Sequence, residues 1–197
     1  MTARTLNDID SEEMGSLIEQ YGEPRRLHFT AQFLKFECDL VRESRAKNRL
    51  HDVTCFIRTS DDKYVVIQKP QYAHTGIYRA PSGGALAGES IEEAAIREMR
   101  EETGFTVRLQ RMVLDLDLAI LCRNETIPWR SLVFLAEPLS GEMKPIDTHE
   151  IYDVTVMSRE ELLGDMNRLM TESGWGGFAY RAFLTREFFK ALDELDI

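Results

Sequence analysis

The stretch PSGGALAGESIEEAAIREMREETGF, residues 81–105, decides the fold that we predict for this chain. It places two adjacent glycines ahead of a segment whose apolar residues recur with helical periodicity. Ser90 is a good helix N-cap, and Glu93 follows three residues later, at the spacing of a capping box. Gly104 stands just past the segment, where a left-handed C-cap is favoured. The stretch therefore predicts a glycine turn followed by an amphipathic helix over residues 90–103.

Glutamates gather on one face of this predicted helix. Glu98, Glu101 and Glu102 fall at positions i, i+3 and i+4, which are neighbours on a helix surface. Taken singly, each is typical of a solvated face, but like charges at this spacing repel, so a bound cation accounts for the group better. Hard oxygen ligands suit Mg²⁺, with Mn²⁺ as a substitute. Arg97 can orient a carboxylate through bidentate hydrogen bonds, and Gly83–Gly84 permits backbone conformations closed to other residues, so that a carbonyl can face the metal.

The order of these residues resembles the Nudix box, G-x5-E-x7-R-E-U-x-E-E-x-G-U, in which U is a bulky apolar residue. Residues 83–105 match this pattern at every specified position. The predicted strands and helices from about residue 51 to 171 also resemble the Nudix domain. The resemblance implies an α/β (α+β) fold, an α/β/α sandwich around a mixed β-sheet, in which the box forms a loop, a helix and a loop.

The resemblance also implies an activity, the Mg²⁺-dependent hydrolysis of the diphosphate bond in a nucleoside diphosphate linked to another group X. Arg97 would orient the carboxylates. The metal ligands that it implies are Glu98 and Glu102, then Glu101, then Glu89, with the backbone carbonyl of Ser82 or Gly83.

Other roles fall outside the box. In the family the general base is a box glutamate such as Glu98 or an acidic residue on a later loop. Here the loop candidate is Glu150, with His149 as the alternative, although Glu150 is also typical of a solvated loop. Arg79, Lys69 and Tyr78 are candidate substrate contacts, for which surface or core roles are the alternative. The aromatic side chains that could stack on a base are Tyr72, Tyr78, Trp129 and Trp175.

The box does not specify X. A proline 15–16 residues beyond the box marks many ADP-ribose pyrophosphatases, and here the first proline after the box is Pro128. Ser82 is a small residue, as in the ADP-ribose and NDP-sugar branches, and this favours such substrates slightly. The alternative is a regulatory Nudix domain that senses a nucleotide derivative with little turnover. Because such sensors commonly lose box glutamates and this chain has kept them, we favour the enzyme.

Composition narrows the partners. The chain has 197 residues, 43% hydrophobic and 29% charged, which is typical of a globular protein. Its formal net charge of −10 disfavours nucleic acid polymers, and hence RNA decapping, but permits a small anion with divalent cations. No apolar run approaches the roughly 20 residues of a membrane span. Without a secretory signal we expect a cytoplasmic protein, in which Cys38, Cys55 and Cys122 are reduced core thiols.

The N-terminal fifty residues lie before the predicted Nudix domain, residues 51–197. Residues 10–21 predict a helix with a capping box of Asp10 and Glu13. A strand follows, and a phase change near Leu34 indicates a bulge or a second strand. The basic run RESRAKNR predicts a solvated turn, with a phosphate-binding patch as the alternative. We expect residues 1–50 to pack on the core or on a second subunit, which would make a homodimer.

Within the predicted domain, the segments HDVTCFIR and YVVIQK predict strands, and the turn-rich TSDDK joins them as a hairpin connection. Later segments predict three or four more strands. A helix with Ser158 and Glu161 as a capping box follows, and a last helix covers roughly residues 178–194.

Overall fold

A computed structural model describes residues 9–47, 49, 51–86 and 88–197 of the chain. The strands are β1 Arg25–Gln32, β2 His51–Ile57, β3 Tyr64–Gln68, β4 Ser82–Gly83, β5 Phe105–Cys122, β6 Glu125–Gly141 and β7 Asp153–Met157. The helices are α1 Ser11–Tyr21, α2 Lys35–Ala46, α3 Ile91–Thr103, α4 Arg159–Glu161, α5 Asn167–Glu172 and α6 Gly176–Leu195. A 3₁₀ segment, Pro70–Thr75, follows β3, and a π-helical segment, Leu162–Met166, joins α4 to α5.

Five strands form a mixed sheet in the order β1-β5-β6-β2-β4. The β1–β5 and β6–β2 pairs are parallel, whereas β5–β6 and β2–β4 are antiparallel. Strands β3 and β7 form a separate antiparallel pair. The predicted hairpin between β2 and β3 is therefore wrong: apart from two isolated bridges, Arg58–Tyr64 and Ile67–Arg79, β3 pairs with β7. Both edges of β2 are taken by β6 and β4.

Helices cover both faces of the large sheet, which confirms the α/β/α sandwich. Val53, Cys55 and Ile57 of β2 belong to a buried cluster that includes residues of α1 and α3. Phe56, on the opposite face of the same strand, stacks on Phe188 of α6 at a ring-centroid distance of 3.8 Å. The alternation of side chains along β2 thus supplies two cores, one on each side of the sheet.

Helix α1 begins at Ser11, as predicted, but its capping differs. The carboxylate of Asp10 accepts a hydrogen bond from the backbone N–H of Glu12 at 2.9 Å. The predicted box partner, Glu13, instead accepts from the backbone N–H of Ile91 at 2.6 Å, so it ties α1 to the start of α3. The apolar residues of α1 that are buried in the core are Met14, Leu17 and Tyr21.

The segment after β1 forms the helix α2 rather than a bulge, a second strand or a turn. The carboxylate of Glu37 caps this helix by accepting from the backbone N–H of Leu34 at 2.8 Å. Ion pairs within one turn, Lys35–Asp39 at 2.9 Å and Arg42–Asp39 at 2.7 Å, stabilise its exposed side. Local charge pairing and capping therefore prevail over the strand-like pattern. The division of the chain near residue 50 stays a prediction.

The prediction of three reduced thiols is wrong for two of them. Cys38 of α2 and Cys122 of β5 form a disulfide across a sequence separation of 84 residues. The pairing follows from the fold, because β1 runs parallel to β5 and the chain then turns into α2 beside the end of β5. Cys55 is free and buried, and burial raises the pKa of its thiol. Among the described residues, no helix has the length and apolar character to cross a bilayer.

Candidate active site

Helix α3 positions the box glutamates, and its ends are those that the sequence predicts. The Ser90 hydroxyl accepts from the backbone N–H of Glu93 at 3.2 Å, and the Glu93 carboxylate accepts from the backbone N–H of Ser90 at 2.9 Å. Gly104 closes the helix in the left-handed conformation, with φ of 82°. The buried face of α3 consists of Ile91, Ala94, Ala95, Glu98, Met99, Glu102 and Thr103. Two of the box glutamates are therefore turned toward the sheet.

Arg97 is the hub of the cluster. Its guanidinium binds the Glu89 carboxylate bidentately, at 2.7 and 2.9 Å. Its Nη1 lies 2.9 Å from a carboxylate oxygen of Glu98 and 3.1 Å from one of Glu101. Its Nη2 also donates to the backbone carbonyl of Gly84 at 3.0 Å. One planar guanidinium thus fixes three box carboxylates and the glycine turn together.

Gly83 of the turn allows a close approach of Glu98 rather than an unusual backbone conformation. Neither Gly83 nor Gly84 has a positive φ, so the predicted backbone reason is wrong. A Cβ at Gly83 would lie 1.9 Å from the carboxyl carbon of Glu98. Only glycine at this position lets the Glu98 carboxyl group lie directly against the strand β4.

Burial distinguishes the glutamates electrostatically. Desolvation raises the pKa of Glu98, against the lowering effect of Arg97, and the neighbouring charges of Glu102 and Glu101 add to the increase. The pKa of Glu89 is lowered, chiefly by its hydrogen bonds to Arg97. Glu98 is therefore a carboxylate whose charge the fold disfavours, whereas Glu89 is held ionised.

Lys69 joins the helix to the loop after β6. Its ammonium group lies 3.1 Å from one carboxylate oxygen of Glu102 and 3.2 Å from Oε2 of Glu150. The other oxygen of Glu102 accepts from the backbone N–H of Ser82 at 2.8 Å. Glu150 is exposed, as is His149, and both line the same cleft as the box glutamates. Lys69 thus bridges Glu150, the predicted general base on the loop, and Glu102, a predicted metal ligand.

The oxygen ligands at this site are of the kind that a hard divalent cation binds, but in this structure the carboxylates form ion pairs with Arg97 and Lys69. Carboxylates of one helix face, with the backbone carbonyls of Ser82 and Gly83 in the strand that packs against Glu98, are ligands of the type that Mg²⁺ prefers. In the described part of the chain, no group of three or more acidic, histidine or cysteine side chains is gathered closely enough to hold a metal ion. Arg97 and Lys69 separate the carboxylates that a cation would draw together.

The remaining predicted contacts divide between the cleft and its surroundings. Arg79 and Lys69 line the cleft, and Arg79 Nη1 donates to the hydroxyl of Ser82 at 2.9 Å. Tyr78 does not line it; its hydroxyl donates to Asp153 at 2.6 Å, which raises the pKa of Tyr78 to about 12. Glu89 also lies outside the lining, behind Arg97.

Sequence reasoning missed a second arginine at the site. Arg181 of α6 donates to the hydroxyls of Thr54 at 2.7 Å and Ser82 at 2.8 Å, and to the carboxylate of Asp52 at 3.0 Å. The sequence does contain a signal for it: Arg181 follows Phe178 by three residues, so it lies on the apolar face of the predicted last helix. A charged residue on such a stripe requires a buried partner.

The cleft has a volume of about 590 Å³, which is within the range of small-molecule sites. Both box glutamates and aromatic rings line it. Three of the four aromatic residues considered for stacking line it, namely Tyr72, Trp129 and Trp175. Lys47 and Arg49, from the basic run after α2, also line it.

Comparisons with known proteins agree with this geometry. The chain is 29% identical over 112 residues to an uncharacterized Nudix hydrolase, YvcI, of Bacillus subtilis, covering 53% of this chain and 69% of that protein. It is 29% identical over 90 residues to an ADP-ribose pyrophosphatase of Methanocaldococcus jannaschii, covering 44% of this chain and 50% of the relative. An NAD-capped RNA hydrolase, NudC, of Photobacterium profundum is 32% identical over 107 residues, which cover 52% of this chain and 35% of that protein. The match thus spans half or less of the last two relatives.

A solved structure shares the fold. The chain superimposes on a NUDIX hydrolase from Nitrosomonas europaea with a TM-score of 0.54 and 19% identity, covering 73% of this chain and 89% of that one. The model of the NUDIX domain matches residues 49–173, which is more than half of the chain. The chain therefore belongs to the Nudix family of hydrolases.

Proposed function

We propose that the protein hydrolyses the diphosphate bond of a nucleoside diphosphate linked to another group X, with Mg²⁺ as the cofactor. The observation that supports this most is the convergence of Glu98 and Glu102, on the buried face of α3, in one cleft with Lys69 and Arg79. Acidic groups suit the cation, and basic groups suit the phosphates that the cation does not neutralise. A site for a cation alone would not need the basic groups, and a site for a phosphate alone would not need the acidic groups.

We assign the cation to Glu98, Glu102 and Glu101, with the carbonyl of Ser82 or Gly83 as a further ligand and Glu89 as a supporting group. Bound there, Mg²⁺ would offset negative charge that develops on the diphosphate oxygens. Arg97 keeps the carboxylates oriented through the contacts described above. Lys69, already within 3.2 Å of two carboxylates, can turn toward a phosphate.

We assign the proton acceptor to Glu150, and His149 is the alternative. Lys69 holds Oε2 of Glu150, so Oε1 is the atom that would receive the proton of the attacking water. The exposure of Glu150 gives water access to this carboxylate. A box glutamate, Glu98, is the other acceptor that the family resemblance allows.

For X we favour ADP-ribose or an NDP-sugar. Ser82, immediately before the box, and the ADP-ribose pyrophosphatase among the relatives both support this class. The NudC relatives act on NAD-capped RNA, but a formal net charge of −10 opposes binding of an RNA chain. A sensor with little turnover is the competing proposal, and the intact set of box glutamates argues against it.

A phosphate-release screen with a coupled phosphatase tests the proposal. The panel is ADP-ribose, NADH, NDP-sugars, dinucleoside polyphosphates, coenzyme A and nucleoside triphosphates, each with Mg²⁺ and with EDTA. We expect turnover that EDTA abolishes, greatest on ADP-ribose or an NDP-sugar. Turnover of none of these compounds, with nucleotide binding retained, would move the assignment to the sensor.

A further inference from the structure

The part of the cleft that carries Phe36 and Trp175 is built by two helices that the family match leaves out. The NUDIX match covers residues 49–173, whereas α2 ends at Ala46 and α6 begins at Gly176. Phe36 of α2 and Trp175, which immediately precedes α6, both line the cleft. This part of the cleft therefore lies outside the residues matched to the family domain.

The two rings form a corner that is open on one side. The centroids of Phe36 and Trp175 lie 4.8 Å apart with an interplanar angle of 74°. Trp175 stacks on Phe178 at 5.0 Å and 19°, so one of its faces is covered. Phe36 is 42% exposed, and Leu40, one turn further along α2, also lines the cleft and is 53% exposed, so this wall presents free apolar surface. A flat aromatic ligand could stack on one ring and contact the edge of the other.

Hydrogen bonds and a disulfide hold the two sides of the corner in place. The carboxylate of Glu37 accepts hydrogen bonds from the backbone N–H groups of Gly176 at 3.1 Å and Gly177 at 2.9 Å, which fixes α2 against the start of α6. The Cys38–Cys122 disulfide fixes the next residue of α2 to β5. A preformed aromatic surface binds a planar ring with a small loss of side-chain entropy.

A continuous series of contacts links the corner to the box. Phe178 meets Tyr72 edge to face at 5.0 Å, and the Tyr72 hydroxyl accepts from Arg79 Nε at 3.2 Å. Arg79 in turn reaches Ser82, whose backbone N–H donates to Glu102 at 2.8 Å. The aromatic corner and the carboxylates are thus two ends of one site.

We infer that the Phe36–Trp175 corner is the subsite for the nucleobase of the substrate, recognised by stacking. This inference rests on the proposed function. The nearest acidic group of α2, Glu37, has both oxygens engaged by backbone N–H groups, so it is not free to select a base by hydrogen bonding. The corner therefore distinguishes a substrate with a base from one without, and it tolerates both purines and pyrimidines.

Tryptophan fluorescence in EDTA tests this without turnover. The chain has two tryptophans, and the Trp129→Phe variant leaves Trp175 as the reporter. Titrations with AMP, UMP and ribose 5-phosphate compare ligands that share a phosphate and a ribose. We expect AMP and UMP to quench Trp175 with affinities within about tenfold of each other, and ribose 5-phosphate to bind at least about tenfold more weakly than AMP.

Variants in the same background locate the effect. Phe36→Ala should weaken AMP binding by about tenfold or more, and Phe36→Tyr, which keeps a ring, should stay within about threefold. Leu195→Ala, an exposed apolar truncation at the far end of α6, is the matched control and should bind normally. Unchanged AMP affinity in Phe36→Ala, or equal binding of AMP and ribose 5-phosphate, would overturn the inference.

The two proposals fail separately. Hydrolysis in the substrate screen together with AMP binding that ignores Phe36 would contradict only the nucleobase subsite. AMP binding that depends on Phe36, with no hydrolysis of any compound in the screen, would contradict only the enzymatic function.

Discussion

Arg97 contacts more of the proposed machinery than any glutamate does. It holds Glu89 bidentately, pairs with Glu98 and Glu101, and donates to the Gly84 carbonyl. The sequence indicated this orienting role through the residue type and its place before the glutamates. It did not indicate that Glu102 would instead pair with Lys69, because that contact depends on how β3 lies against α3.

Replacing Arg97 by lysine should lower kcat/KM with Mg²⁺ by about 10–100-fold, because an ammonium group cannot hold three carboxylates and a carbonyl in one plane. The Mg²⁺ concentration for half-maximal activity should rise as well. Steady-state kinetics at varied Mg²⁺ measure both. Arg100→Lys, an exposed change on the same helix, is the control. Equal kinetics for the two variants would remove the orienting role from Arg97.

Glu98→Gln should make the protein more stable in EDTA at neutral pH. Burial raises the pKa of Glu98 above its ordinary value of 4.5, so the folded state binds its proton more tightly than the unfolded state does. The resulting stability is present below pH 4.5 and is lost as the pH rises through the folded-state pKa. Glutamine cannot ionise and avoids this loss.

Thermal unfolding of the wild type and of Glu98→Gln, from pH 4 to pH 8, measures this effect. The melting temperature of the variant should exceed that of the wild type at pH 8, and the difference should shrink toward pH 4. If the melting temperature of the variant minus that of the wild type is smaller at pH 8 than at pH 4, the raised pKa of Glu98 is contradicted.

At the scale of elements, local signals predicted some features and missed others. The ends of α3 followed from Ser90 and Gly104, which act within one helical turn. The pairing of β3 with β7 and the Cys38–Cys122 disulfide join residues far apart in the chain, so no local pattern could reveal them. Helix α2 was missed because Phe33 continues the strand-like alternation, and the phase change at Leu34 was interpreted as a bulge or a second strand.

The disulfide between α2 and β5 should stabilise the fold measurably. Replacing Cys38 and Cys122 together by alanine should lower the free energy of unfolding by about 2–4 kcal/mol, because the crosslink restricts the unfolded chain. Urea denaturation with and without a reducing agent measures this. The reducing agent should weaken the wild type by a similar amount and leave the double variant unchanged. Insensitivity of the wild type to reduction would count against the bond.

At the scale of the whole molecule, the sequence predicted the sandwich and the end of the cleft that carries the box. The aromatic end escaped prediction because it forms only when α2 and α6, separated by more than a hundred residues, meet across Glu37 and Gly176. Likewise, the partners of Arg181 lie on β2 and β4, which are about a hundred residues or more before α6 in the sequence.

We retain the prediction of a homodimer, but α1 and β1 pack on the core of their own chain, so the contact with a second subunit would involve other exposed apolar side chains. Leu139, Met143 and Ile146 are 57%, 42% and 58% exposed and lie close together in the chain. Light scattering at micromolar protein should give twice the chain mass of 22.7 kDa. A mass equal to that of one chain would contradict the prediction.

The central claim is that the carboxylates of α3 carry a cation-dependent cleavage of a diphosphate. Product analysis with the best substrate of the screen, comparing the wild type with Glu98→Gln and Glu102→Gln, tests it most directly. We predict that the wild type with Mg²⁺ releases two phosphate monoesters, and that each variant turns over at least about 100-fold more slowly while remaining folded. Near-normal turnover in both variants would contradict the claim.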